Sequence, residues 1–333
     1  MSSSCASNGA DSKGFTLIEV LVVIAIIALL IGLLLPSLGA ARGASRAVLC
    51  QTQMSSRGVA CQLFSNDHGG RVATFSWRAG ELNNPKYGVA ESDLRAAADQ
   101  AMTLAGDLIG RPLERAPAGV FPFPAGYYLL LRDYESAPPF DASNGCPEDR
   151  NRQRWLEAFR TDPTGEQYLD LSNRPFAGIR LDVVLVSGLN SGYFMVESAV
   201  SQDRGLMPSN GPAHLSWDVP EGTRLGGRRV SEVAFPSSKA FLYEYQDWHY
   251  ADDPQYVAYE DSRCHVALFD GSVAARVTAS SDVGWDPADP DGNEPTRYIY
   301  TPDTAWEPPS RTAADELLGW YRYTRGGLRG RDF

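Results

Sequence analysis

The 333-residue chain is 43% hydrophobic and carries seven Trp and fifteen Tyr, ample material for one large or two small domains beyond any membrane segment. Its formal net charge of −11 argues against nucleic acid as a partner. In chain order, the first element is an apolar run over residues 17–35, broken only by Glu19 and the small Gly32. As a helix this run is about 28 Å long, enough to cross the hydrocarbon core of a bilayer. A lone carboxylate in lipid costs several kcal/mol, so Glu19 needs a partner.

Beyond the apolar run, Gly39, Ala40, Gly43 and Ala44 are small enough to let helices approach closely. The helical pattern continues past Pro36 through Ala47, Met54, Val59 and Leu63 to about Phe64. Asn66-Asp67-His68-Gly69-Gly70 then stops it with C-terminal glycine chemistry. Ser92 is a candidate N-cap for a second helix, in which Leu94, Ala97, Ala98, Ala101, Leu104, Ala105 and Leu108 recur at helical spacing before Gly110 and Pro112. Residues 112–147, rich in proline and aromatics, read as an irregular excursion over the surface. A short helix is expected over 149–161.

Strand signals dominate the later part. Residues 181–187 and 192–198 flank a Gly-Leu-Asn-Ser turn and suggest a hairpin, and 239–245 reads as a further strand. The clearest hairpin joins 264–269 to 272–277 through Asp270-Gly271, read as a two-residue turn. The arginine-rich tail over 320–331 reads as a frayed, solvated terminus, with contact to acidic neighbours as the alternative. A long helix followed by antiparallel strands makes the fold class α+β.

The passage Lys13-Gly14-Phe15-Thr16-Leu17-Ile18-Glu19 and the apolar helix behind it resemble the class III signal of type IV prepilins and type II secretion pseudopilins. The resemblance implies a leader (1–14) cut after Gly14 by a prepilin peptidase, with Phe15 as an N-methylated mature terminus. It implies a transmembrane and stalk helix over 15–66, with Pro36 where such helices bend, and an exported α+β head over 67–333. Glu19, fifth in the mature chain, would neutralise the terminal amine of a neighbouring subunit. The implied protein is a structural subunit of a type IV pilus or type II secretion pseudopilus. It would reside in the inner membrane with one pass and an extracytoplasmic head, and its partners would be pilin-like subunits and the inner-membrane assembly platform. A non-polymerising membrane-anchored binding protein or enzyme using the same signal is the alternative of a different class.

Two other accounts of the apolar run are an ordinary secretory signal peptide cut near 37–41 and a plain single-pass anchor. The length of the run and its internal acid speak against the first. Lys13 before the run and Arg42 and Arg46 after it lean, by the positive-inside rule alone, against a leader facing the cytoplasm, so the orientation rests on the resemblance. Around the second hairpin and at Cys50-Gln-Thr-Gln-Met and Phe64-Ser-Asn-Asp-His-Gly-Gly, the chain also resembles large prepilin-like proteins with a C-terminal His set nine residues before an Asp-Gly turn. Here Glu260 stands at that position, and His265 falls only four residues before the turn.

No catalytic motif emerges: Gly188-Leu-Asn-Ser191-Gly192 is not a nucleophile elbow, and no P-loop or dinucleotide fingerprint is present, so the chain is read as no enzyme. Asp289, Asp291 and Asn293 alternate as oxygen donors and form a candidate calcium loop, weighed against a solvated acidic turn. His249 lies among acids, and a metal site with Glu260 or His265 is weighed against a polar surface loop. Cys50 and Cys61 would lie about 16 Å apart on one helix, too far to bridge. Cys146 with Cys264 is an admissible pair, and buried free thiols are the alternative. Tyr127, Tyr128, Trp248 and Trp306 are either exposed binding aromatics or core.

Overall fold

In the computed structural model the first α-helix, α1, runs unbroken over Leu17–Asp67. The structure describes residues 16–116, 126–137, 141, 144–161, 192–201, 207–208, 217–220, 222–285, 294–302, 311 and 313–333. By its internal contacts the chain divides into two units, Met1–Ser45 and Arg46–Phe333.

In the first unit the apolar side chains of α1 are exposed all round, Leu17, Leu21, Ile24 and Leu33 among them. A helix that is apolar on every face belongs in lipid or in a core, and this one is long and apolar enough to cross a membrane. From Ala47 onward the same helix acquires a buried stripe: Ala47, Cys50, Met54, Arg57, Cys61 and Phe64. That spacing of three and four puts one face against the fold.

The helix ends at Asp67, one residue beyond the expected bound. His68 stacks on Phe64 with ring centroids 3.9 Å apart, and its Nδ1 lies 2.8 Å from the Phe64 carbonyl. Gly69 then takes φ +64, and the Gly70 N–H donates to the Ser65 carbonyl at 2.8 Å, closing a Schellman-type cap.

Helix α2, Asp93–Leu108, has Ser92 as its N-cap, whose hydroxyl accepts from the Arg95 N–H at 3.2 Å. Ala97, Ala101 and Ala105 are buried along one face. Helix α3 covers Arg150–Thr161. Between them, the expected surface excursion is corrected over residues 126–131. Gly126–Leu131 is a 3-10 helix whose Tyr127, Tyr128, Leu129 and Leu131 are buried in the core. Proline marks irregular backbone, but it does not say which side of that backbone faces solvent.

Among the described residues the central sheet has four antiparallel strands in the order β1-β4-β7-β8: β1 is Tyr193–Met195, β4 Ala240–Glu244, β7 Arg263–Leu268 and β8 Val273–Val277. Smaller two-stranded pairs are β2 Met207–Pro208 with β3 Trp217–Asp218, β5 Gln246–Asp247 with β6 Gln255–Tyr256, and β9 Arg297–Tyr300 with β10 Asp315–Leu318. Every position of β4 is buried, whereas β8 forms a half-exposed edge.

The expected hairpin over 264–277 is present, with a different turn. Leu268 N–H donates to the Ser272 carbonyl at 2.8 Å and Gly271 N–H to the Leu268 carbonyl at 3.0 Å, so the loop is Phe269-Asp270-Gly271. Gly271 has φ +88 while Asp270 does not have positive φ, which excludes the two-residue type I′ turn. Asp270 instead uses its carboxylate to accept from the backbone N–H and hydroxyl of Ser272. The strand expected over 192–198 is shorter than its sequence suggests. Strand β1 ends at Met195, a one-turn helix follows at Glu197–Val200, and β1 pairs with β4; its expected partner over 181–187 lies outside the described residues.

The tail is not frayed. Trp320, Tyr321, Arg322, Tyr323, Leu328 and Asp332 are buried. Arg322 pairs with Glu197 at 2.8 Å, and Asp332 receives the Lys239 ammonium and the Ala240 N–H, each at 2.8 Å, at the head of β4.

Candidate functional site

Among the described residues, two places gather chemistry. The first is the start of α1. Thr16 N–H and Thr16 Oγ1 donate to Glu19 Oε2 at 2.8 and 2.7 Å, and Glu19 N–H donates back to Thr16 Oγ1 at 3.3 Å. This is a reciprocal capping box, with Thr16 as N-cap and Glu19 three residues on. It gives the one acid of the apolar run a local reason: the carboxylate satisfies an orphan N–H and sits at the positive end of the helix dipole. The signal, Thr-x-x-Glu before an apolar run, was present in the sequence beside the prepilin pattern.

Pro36 lies inside α1, where it has no N–H to offer the carbonyl of Gly32. Ser37 Oγ donates to the Leu34 carbonyl at 2.9 Å in the same turn. Gly14 and Phe15 lie outside the described residues, as do Asp289, Asp291 and Asn293 of the candidate calcium loop, together with Trp306.

The second place is buried in the head. His249 and His265 come together with ring centroids 5.4 Å apart. They flank Glu244, which the sequence reading missed because it lies at the end of a strand buried on both faces, where no alternation marks an inward acid. His265 donates to Glu244 Oε2 from both its backbone N–H and Nδ1, at 2.9 Å each, and its Nε2 lies 3.1 Å from the Tyr250 hydroxyl. His249 Nε2 is 3.6 Å from Glu244 Oε1. Burial pushes the Glu244 carboxyl up, but the two imidazoles outweigh it and leave the group below its ordinary range. The polar surface loop is therefore corrected: the His249 side chain is only 2% exposed. Glu260 is exposed and is not part of this cluster.

The cysteines complete it. Cys50 on α1 and Cys146 form a disulfide with Cα atoms 4.8 Å apart, while Cys61 and Cys264 are buried free thiols. The candidate Cys146–Cys264 pairing is thereby overturned. Cys146 Sγ lies 3.2 Å from His249 Nε2. Trp248, Tyr127 and Tyr128 are core residues, not exposed binding aromatics.

Compared with known families, residues 10–35 match the model described as the prokaryotic N-terminal methylation motif. No curated protein and no solved structure matches the chain significantly. The chain thus carries a type IV prepilin-like signal. That motif implies processing by a prepilin peptidase and association with the membrane.

Proposed function

We propose that this chain is a prepilin-like structural subunit, cut between Gly14 and Phe15 and assembled through α1 into a type IV pilus or type II secretion pseudopilus. The observation that carries the reading is the methylation motif joined to a helix that is apolar on every face and holds one acid, Glu19, in its first turn. Before assembly the helix anchors the subunit in the inner membrane by a single pass, with the head on the extracytoplasmic side. The capping box occupies Oε2 of Glu19, and a carboxylate has about four lone-pair sites, so the same group can also accept the terminal amine of a neighbouring Phe15. Pairing those charges removes a cost that each would carry alone in lipid. The reading assigns the chain no catalysis.

The N-terminal residue and intact mass of the protein from native membranes test the processing step. A start at Phe15, with or without one added methyl, is expected, together with other pilin-like chains in the same detergent extract. A start near residues 38–42 would sink the reading. A start at Phe15 with no pilin-like companion would favour a tethered, non-polymerising protein instead.

A further inference from the structure

We propose that Cys50, Cys146, Glu244 and His249 form a binding site for one divalent metal ion of the zinc type when the cysteines are thiols, a state mutually exclusive with the disulfide. The two sulfurs, His249 Nε2 and a Glu244 oxygen all lie within 4.8 Å of one another. Metal–sulfur bonds of about 2.3 Å and metal–nitrogen or –oxygen bonds of about 2.0–2.2 Å place tetrahedral ligand atoms roughly 3.3–3.8 Å apart. The Cys146 Sγ to His249 Nε2 distance is 3.2 Å and the His249 Nε2 to Glu244 Oε1 distance is 3.6 Å, so two edges of that tetrahedron are already close to size. The sulfur–sulfur edge has to lengthen, and the remaining edges start within 4.8 Å.

A second observation points to a cation independently. Glu244 is fully buried, and its Oε1 has the His249 imidazole beside it at 3.6 Å, too long for a full hydrogen bond. A buried carboxylate oxygen left in that condition is costly, and a metal ion answers the cost directly. The opposite oxygen is fixed by His265, whose far nitrogen meets the Tyr250 hydroxyl, as the outer shell of a metal site fixes its ligands. Two sulfurs and an imidazole select zinc-like ions over calcium or magnesium, which take oxygen donors.

The chemistry balances with a dithiol as reductant. Thiol–disulfide exchange breaks the Sγ–Sγ bond; the added dithiol supplies two electrons and two protons and becomes a disulfide, and Cys50 and Cys146 become thiols. The incoming ion takes both sulfurs as thiolates, and their two protons pass to the buffer.

The test uses the full-length chain in detergent, reduced with excess dithiol, desalted without oxygen and titrated with CoCl2 and then ZnSO4. We expect one cobalt per reduced chain, with the strong visible bands of a tetrahedral site and thiolate-to-cobalt charge transfer, displaced by one zinc. The oxidised chain is expected to give no such spectrum. Cys61→Ser with Cys264→Ser should keep the spectrum, His249→Ala should abolish it, and His265→Ala should weaken zinc affinity roughly 10–100-fold. A reduced, folded chain that gives no tetrahedral cobalt spectrum overturns the proposal, as does a spectrum unchanged in Cys50→Ser with Cys146→Ser. A reduced chain that loses its near-ultraviolet dichroism and does not regain it with zinc overturns it equally.

Discussion

At the scale of single residues, Glu19 and Lys239 show two ways a charge is kept where water is scarce. Glu19 turns back onto Thr16 and caps its own helix, and in the proposed assembly it also receives a neighbour's amine. Glu19→Val should therefore leave cleavage after Gly14 intact, as read by the mass of the mature chain, while filament or pseudopilus incorporation falls sharply. Normal incorporation would rule out the pairing. Lys239 and Asp332 are both fully enclosed and 2.8 Å apart, with Thr324 also accepting from the ammonium. Burial lowers the Lys239 pKa although Asp332 opposes it. Removing one member of such a pair strands the other, so Asp332→Ala should cost roughly 3–5 kcal/mol in urea unfolding of the detergent-solubilised chain. A loss below about 1 kcal/mol would show that the ammonium reaches water or another acceptor.

Among the elements, the β7–β8 hairpin offers the cleanest test of turn chemistry. Its loop is closed by Gly271 at φ +88, and nothing lies within 4 Å of the place an added Cβ would occupy. Gly271→Ala should thus cost about 1–2 kcal/mol from backbone conformation alone, with the sheet otherwise unchanged by circular dichroism. Elements governed by local rules were legible in advance: α2 begins at Ser92 as its cap foretold, and Asp270-Gly271 lies in the turn of a real hairpin. The turn length was not legible, because it depends on Phe269 N–H donating to the carbonyl of Lys239, the residue before β4, a contact remote in sequence. The same holds for the buried site. His249 and His265 drew notice as titratable residues, whereas Glu244 and the Cys50–Cys146 link depend on how α1, the segment before α3 and the central sheet meet. Residues 126–131 were misread because a proline-rich stretch carried its tyrosines inward.

For the molecule as a whole, the head encloses many tyrosine side chains in its core. Burial raises the pKa values of Tyr193, Tyr243, Tyr298, Tyr321 and Tyr323 well above the ordinary phenol range. A group whose folded pKa is raised contributes stability in full below its unfolded value, near pH 10, and loses it as pH rises beyond. The head should therefore unfold cooperatively in alkali above about pH 10, with tyrosinate absorbance and loss of near-ultraviolet dichroism appearing together. Tyrosinate signal from these five rings in a still-folded chain would contradict their burial. The disulfide carries a mechanical consequence as well. A pull applied to residues 17–45 travels along α1 and meets Cys50 before it meets Met54, Cys61 or Phe64. Tension there is diverted through sulfur into the segment at Cys146, so the helix cannot be peeled from its seat turn by turn. Under load the chain behaves as a spliced rope, and a reductant, by undoing the splice, sets the force at which it gives way.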